Sequence, residues 1–236
     1  MSDRPFLYLL PGLLCDDFVF AEEVRALADR ATLRVPNFFG LDSLATMAER
    51  VLAEAPCRFA LAGFSMGGRV ALQIVRQAAH RVERLALLDT GAEGCQAGEK
   101  IARQKLVDLG FAQGMAALAG RWLPPMLHPR RHNDPAIVGP LTAMVCRATP
   151  AVFEAQVHAL LGRPDATEVL AAIDCPTLVA CGRQDEFTPL SQHEAMAGAI
   201  KGATLEIFED AGHFAPVETP SAVSEALRRW LDRPSA

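Results

Sequence analysis

Gly63-Phe64-Ser65-Met66-Gly67-Gly68 is the stretch that decides the fold. The run ahead of it, Arg58-Phe59-Ala60-Leu61-Ala62, is short and apolar and reads as a buried strand. The run behind it, Arg69-Val70-Ala71-Leu72-Gln73-Ile74-Val75, has the apolar spacing of one helix face. A strand that hands over to a helix so abruptly needs a turn too sharp for side chains at its flanks, and the glycines allow it. Ser65 then sits at the apex in a strained conformation with its hydroxyl exposed, as a serine that attacks a carbonyl must.

A neutral serine is a weak nucleophile; it needs a base, and the base needs a group to orient it. Two later segments supply candidates. Asp185 lies in Cys181-Gly182-Arg183-Gln184-Asp185-Glu186-Phe187-Thr188-Pro189, directly after the strand-like Thr177-Leu178-Val179-Ala180. His213 lies in Asp210-Ala211-Gly212-His213-Phe214-Ala215-Pro216, after the strand-like Thr204-Leu205-Glu206-Ile207-Phe208. Each sits where a strand ends and a loop begins, and in an open parallel sheet such ends share one ligand-binding edge. Asp89, at the end of another apolar run, competes with Asp185 on the same ground.

Six apolar runs, at 6–10, 32–35, 59–62, 85–88, 177–180 and 204–208, alternate with helical patterns at 18–30, 41–55, 67–79, 190–200 and 220–232. That alternation predicts an α/β fold, a three-layer αβα sandwich with a mostly parallel sheet of about six strands. Between the fourth and fifth runs the strand rhythm stops, and helical patterns take over at 100–109, 114–122, 134–148 and 151–161. The expected division is therefore a core built from residues 1–92 and 171–236, with a helical insertion over 93–170.

Half of the 236 residues are hydrophobic, yet no apolar segment reaches the length of a membrane span. The net charge of −5 without a basic cluster argues against a nucleic-acid partner. The start has no secretory pattern, so a cytoplasmic location is expected. Cys15, Cys57, Cys95, Cys146, Cys175 and Cys181 are scattered and read as reduced thiols. His128 and His132 are separated by Pro129 and lack further ligands, so no metal is expected. His80, His158 and His193 fall on helical patterns and are expected at the surface or in the insertion; Arg121, Arg130, Arg131 and Arg147 are expected to be solvated. No nucleotide-binding glycine motif is present, and no cofactor is implied. Nothing specifies an oligomeric state.

Taken together, Leu10-Pro11-Gly12-Leu13, the Ser65 motif, the Gly182…Asp185…Pro189 loop and Gly212-His213…Glu218-Thr219-Pro220 resemble the α/β-hydrolase fold family, over nearly the whole chain apart from its middle third. The resemblance implies Ser65 as nucleophile, His213 as general base and then acid, and Asp185 as the group that fixes the imidazole tautomer. It places the oxyanion hole at the backbone N–H groups of Met66 and Leu13, with Leu14 replacing Leu13 if the turn is shifted by one residue. Pro11-Gly12 stands where many members carry His-Gly, which leaves a backbone donor in place. The family's leading antiparallel hairpin has no room before residue 6, so a trimmed sheet is expected. Residues 93–170 become a helical cap that shapes the pocket, with Phe64, Phe111, Met115, Trp122 and Phe214 as substrate-binding residues. Arg163-Pro164-Asp165 resembles a segment of small bacterial members, with closure of the cap as its only assigned task.

The implied activity is cleavage of an ester or lactone of a small, largely apolar substrate. Carbon–carbon bond hydrolysis, thioester hydrolysis and a cofactor-free lyase reaction use the same three residues. A receptor-like ligand-binding protein with little turnover is the reading from another class.

Overall fold

The apolar runs assemble into a single all-parallel sheet in the computed structural model, which describes residues 4–234. Its strands are β1 (Phe6–Leu10), β2 (Thr32–Arg34), β3 (Phe59–Phe64), β4 (Val82–Leu88), β5 (Thr177–Gly182) and β6 (Thr204–Phe208), in the order β2-β1-β3-β4-β5-β6. Every residue of β3 and β5 is buried. Helices cover both faces of such a sheet, so central strands read as continuous apolar runs rather than alternating ones. The edge strands β2 and β6 are only partly buried, and they are also the most polar.

The order of strands decides where a ligand binds. From β1 the chain steps outward to β2, then returns to lay β3 on the other side of β1. Connections above β1 and β3 therefore diverge, which opens a crevice at the carboxyl ends of those strands. The Leu13 loop follows β1 and Ser65 follows β3, so both stand at that crevice.

Helices α1 (Ala21–Leu27), α2 (Leu44–Glu54) and α3 (Met66–Ala78) follow the first three strands. The helix expected over 18–30 begins later than its pattern, because Asp16 caps a separate 3-10 turn at Asp17–Phe20. Between β4 and β5 come α4 (Glu99–Trp122), α5 (Pro135–Cys146), α6 (Pro150–Leu161) and α7 (Thr167–Leu170). The two helices expected within α4 are its two halves, broken at Gly114, whose φ of 83° is foreign to a helix. Asp134 and Thr149 cap α5 and α6, each followed by a proline at the first helical position. The chain ends with α8 (Leu190–Ala199), α9 (Ala215–Glu218) and α10 (Pro220–Leu231). Helix α1 packs on α10 and α2 on α3, while α4 holds α5 and α6.

Arg4 and Pro5, ahead of β1, are in no strand; the rest of the stretch on which the trimmed sheet was expected, residues 1–3, lies outside the described residues. Among the described residues no single helix is long and apolar enough to cross a membrane, and α5 and α6, which reach that length only as a pair, meet at 94°. Among the described residues Phe20, Phe38, Phe59, Phe64, Phe153, Phe214 and Trp230 are the largest fully buried side chains, and Phe64 and Phe214 carry the core up to the crevice.

Candidate active site

Among the described residues three other than glycine have a positive φ: Leu14 (59°), Ser65 (52°) and Asp89 (44°). They follow the carboxyl ends of β1, β3 and β4, so backbone strain is gathered along one edge of the sheet. Such conformations cost about 1–3 kcal/mol each and persist only where the surroundings impose them. Around Ser65 the surroundings are tight. Its N–H donates to Leu88 O (2.9 Å), and the Thr90 hydroxyl donates to its carbonyl (2.7 Å). A methyl group on Gly67 would come within 1.9 Å of Leu10 O, so α3 can start against β1 only with glycine there.

Ser65 Oγ lies 2.8 Å from His213 Nε2, and His213 Nδ1 lies 2.8 Å from Asp185 Oδ2. A carboxylate beside Nδ1 fixes the proton there, which leaves Nε2 as the acceptor facing the serine hydroxyl. Asp185 Oδ1 accepts from the N–H groups of Phe187 (2.8 Å) and Thr188 (2.9 Å), and the Thr188 hydroxyl donates to Oδ2 (2.5 Å). Burial opposes the charge on Asp185, but the neighbouring His213 and the hydrogen bonds from His213 and Thr188 outweigh it and hold the carboxyl below its usual range. The imidazole is buried and flanked by the rings of Phe64 and Phe187 at centroid distances of 5.5 and 5.7 Å. Two loop-to-loop bonds, Arg183 N–H to Phe208 O and Gln184 N–H to Ala211 O, bring the Asp185 and His213 loops together (2.9 and 3.0 Å).

Asp89 does not reach the histidine. Its Oδ1 accepts from Gly182 N–H (2.8 Å) and its Oδ2 has no partner among the described residues. Complete burial, reinforced by the charge of Asp185, pushes its carboxyl well above the usual range.

The backbone donors sort themselves out as clearly. Leu14 N–H is engaged by the fully buried Gln156 of α6 (2.8 Å), whose own amide donates to Phe38 O (3.3 Å). Leu13 N–H has no partner among the described residues, and Met66, as the first residue of α3, has none within its helix. Replacing Gln156 by leucine is expected to strand a buried N–H at a cost of about 1–3 kcal/mol, read as a Tm lower by several degrees.

A pocket of about 310 Å³ opens over Ser65 and His213. Phe64, Trp122 and Phe214 line it, and Leu13, Leu106, Met126, Leu160 and Phe187 add to its apolar wall. Trp122 stacks edge-on against Phe214 (6.2 Å, 88°). Two expected lining residues are elsewhere. Phe111 is 56% exposed on the outer side of α4, and Met115, one residue past the Gly114 break, is buried in the packing of the insertion without reaching the pocket.

Other residues also depart from expectation. His193 is fully buried: its Nε2 accepts from Thr90 N–H (3.0 Å), its Nδ1 faces Pro189 O (3.3 Å), and burial pushes its pKa down to about 4. It thus fixes the residue that holds the Ser65 carbonyl. Arg147 is exposed, as expected, and forms a two-point ion pair with Asp16 (2.6 and 2.9 Å), tying the insertion to the loop after β1. Glu218 accepts from Gly212 N–H (2.9 Å) and His128 N–H (2.7 Å), and His213 N–H donates to Met126 O (2.7 Å), so the insertion also grips the histidine loop. The bonds of His193 to Thr90, Arg147 to Asp16 and Glu218 to His128 carry no local sequence signal, since those partners are remote in the chain.

A sequence profile described as the alpha/beta hydrolase family matches residues 7–226. A thermophilic esterase from Thermogutta terrifontis superimposes with a TM-score of 0.85 at 27% identity, over 98% of this chain and 90% of that one. An enol-lactonase from Burkholderia xenovorans gives 0.88 at 22% identity, over 98% and 93%, and at that identity shows the fold alone. Among curated relatives, the 2-hydroxy-6-oxononadienedioate/2-hydroxy-6-oxononatrienedioate hydrolase of Escherichia coli K12 is 32% identical over 104 residues. That match spans 36% of each chain.

Proposed function

Because this chain belongs to the alpha/beta hydrolase family, we propose that it is a serine hydrolase that opens a carboxylic ester or lactone through an acyl-enzyme on Ser65. The observation that carries this reading is the unbroken hydrogen-bonded chain from Ser65 Oγ through His213 to Asp185, at the floor of a largely apolar pocket. Ser65 attacks the carbonyl carbon as His213 Nε2 takes its proton. The N–H groups of Leu13 and Met66 receive the oxyanion. His213 then protonates the leaving alkoxide, and a water deprotonated by the same nitrogen releases the acid. Residues 93–170 serve as the cap that encloses the acyl group, with Leu106, Trp122, Met126 and Leu160 among its apolar contributions to the wall.

Hydrolysis of p-nitrophenyl esters from acetate to long acyl chains tests the reading. Turnover is expected on the short acyl groups, falling once the chain outgrows about 310 Å³. Absence of enzyme-dependent turnover on every ester and lactone would overturn it. The Escherichia coli relative, named for an oxo-dienedioate substrate, then makes carbon–carbon bond hydrolysis the reading to take up.

A further inference from the structure

The pocket is not apolar throughout. Arg69, Arg103 and Arg163 line it together with Glu93 and Glu99. Arg163 is fully spent within the protein: its five N–H donors go to Glu99 Oε1 (2.8 Å) and Oε2 (2.7 Å) and to the carbonyls of Glu93 (3.2 Å), Leu160 (2.7 Å) and Gly94 (3.0 Å). Glu99 is spent as well, since Arg103 Nε also donates to its Oε1 (2.8 Å). Although burial opposes it, these two arginines pull the Glu99 carboxyl down to about 2. The Arg163-Pro164-Asp165 segment is thereby explained as the latch that closes the insertion onto the loop after β4, with Asp165 Oδ2 accepting from Gly94 N–H (3.2 Å).

Arg69 is left over. Among the described residues it forms no ion pair, and its guanidinium makes one hydrogen bond, to the backbone carbonyl of Glu93 (2.6 Å). Arg103 likewise gives only its Nε. The Glu93 side chain, the other carboxylate in the lining, is on an exposed residue and accepts no hydrogen bond among the described residues. Burial and repulsion from Arg163 lower the pKa of Arg69 to about 9, which still leaves it charged at neutral pH. A cation with unspent donors at a pocket wall, beside a carboxylate already shared between two other arginines, is short of one anion.

Its position along the chain sets the reach. Arg69 follows Ser65 by four residues, in the first turn of α3, its backbone N–H donates to Ser65 O (3.4 Å), and both residues line the pocket, so it stands about 6 Å further along the axis. An anion bound there is close to the carbonyl under attack, a short acyl chain away.

We propose that Arg69, with Arg103 beside it, forms a carboxylate subsite, so that the preferred substrate is the monoester of a short dicarboxylic acid, or the corresponding lactone acid. This rests on the hydrolase reading above and narrows its substrate. The carboxylate anchors on the two guanidinium groups, the intervening methylenes lie along the apolar wall, and the ester carbonyl meets Ser65.

The test compares monomethyl glutarate with dimethyl glutarate, which differ only in whether the distal carboxylate is free. The natural protein is expected to favour the monoester at least tenfold in kcat/KM. Arg69→Gln is expected to lower that ratio by about tenfold, the worth of one charge-assisted hydrogen bond, and Arg69→Lys to restore part of it. A merely structural role would change both rates together and leave the ratio alone. Arg103→Gln, at the rim of the same group, checks the result should Arg69→Gln fail to fold. Calorimetry of glutarate binding reads the subsite without turnover, with weaker binding expected in both glutamine variants. Turnover with a ratio near one, or a ratio and an affinity indifferent to Arg69, overturns the subsite and leaves the hydrolase standing. Arg69-dependent glutarate binding without ester turnover does the reverse.

Discussion

Ser65→Ala is expected to lower kcat/KM on any ester the natural protein accepts by about a million-fold, leaving only the residual catalysis of the oxyanion donors and binding. The loss should be chemical rather than structural. The Ser65 side chain caps no N–H of α3, and its one partner among the described residues is His213 Nε2 (2.8 Å). Alanine at φ 52° carries the same backbone strain as serine, and the bonds that impose it, to Leu88 O and from Thr90 Oγ1, involve only the backbone of residue 65. The variant should therefore keep its Tm within a few degrees while losing turnover. Labelling with a fluorophosphonate gives an independent reading, since the natural protein should gain one adduct, on Ser65, and the variant none. Retained turnover at even a hundredth of the natural rate would remove Ser65 from the mechanism.

The strands and the converging loops were legible because their signals are local. A parallel strand covered on both faces is a continuous apolar run, as Phe59–Phe64 and Thr177–Gly182 show. The serine turn needs glycine at fixed offsets for contacts within a few residues and one neighbouring strand. The wall of the pocket was not legible in the same way. A helical period says which residues share a face but not what that face meets, and the break at Gly114 shifts the phase between Phe111 and Met115. Phe111 then faces outward while Trp122, two turns past the break, reaches the pocket. Buried polar partners are harder still. Gln156 is 142 residues from Leu14, and His193 is 103 from Thr90. Each is called for by a single backbone N–H that only the assembled fold buries. The choice between Leu13 and Leu14 as donor hangs on Gln156, so it could not have been made before the insertion was seen against the loop after β1.

The same dependence on a hydrogen-bond partner decides the second large effect. Asp185→Asn is expected to lower kcat by about ten-thousandfold while leaving the pocket intact. The asparagine oxygen can still accept from Phe187 and Thr188 N–H, as Asp185 Oδ1 does now. Its amide group must then face His213 Nδ1, where the carboxylate oxygen stands at 2.8 Å. An amide donor there makes Nδ1 the acceptor and moves the ring proton to Nε2, so the nitrogen facing Ser65 no longer accepts a proton. The pH dependence of stability separates this tautomer effect from general damage. The Asp185 carboxyl in the folded protein titrates below its unfolded value of about 4. Its stabilising contribution is therefore fully present above that value and is lost as pH falls through the lower, folded one. The Tm difference between the natural protein and Asp185→Asn should accordingly be constant near neutral pH and shrink only below about pH 4. A difference that held unchanged under acid would mean that the carboxylate charge is not what Asp185 contributes. A variant that kept near-natural kcat would pass the orienting role to another acid, and Asp89 is poorly placed to take it, with Oδ1 committed to Gly182 N–H and its carboxyl held toward the neutral form by burial.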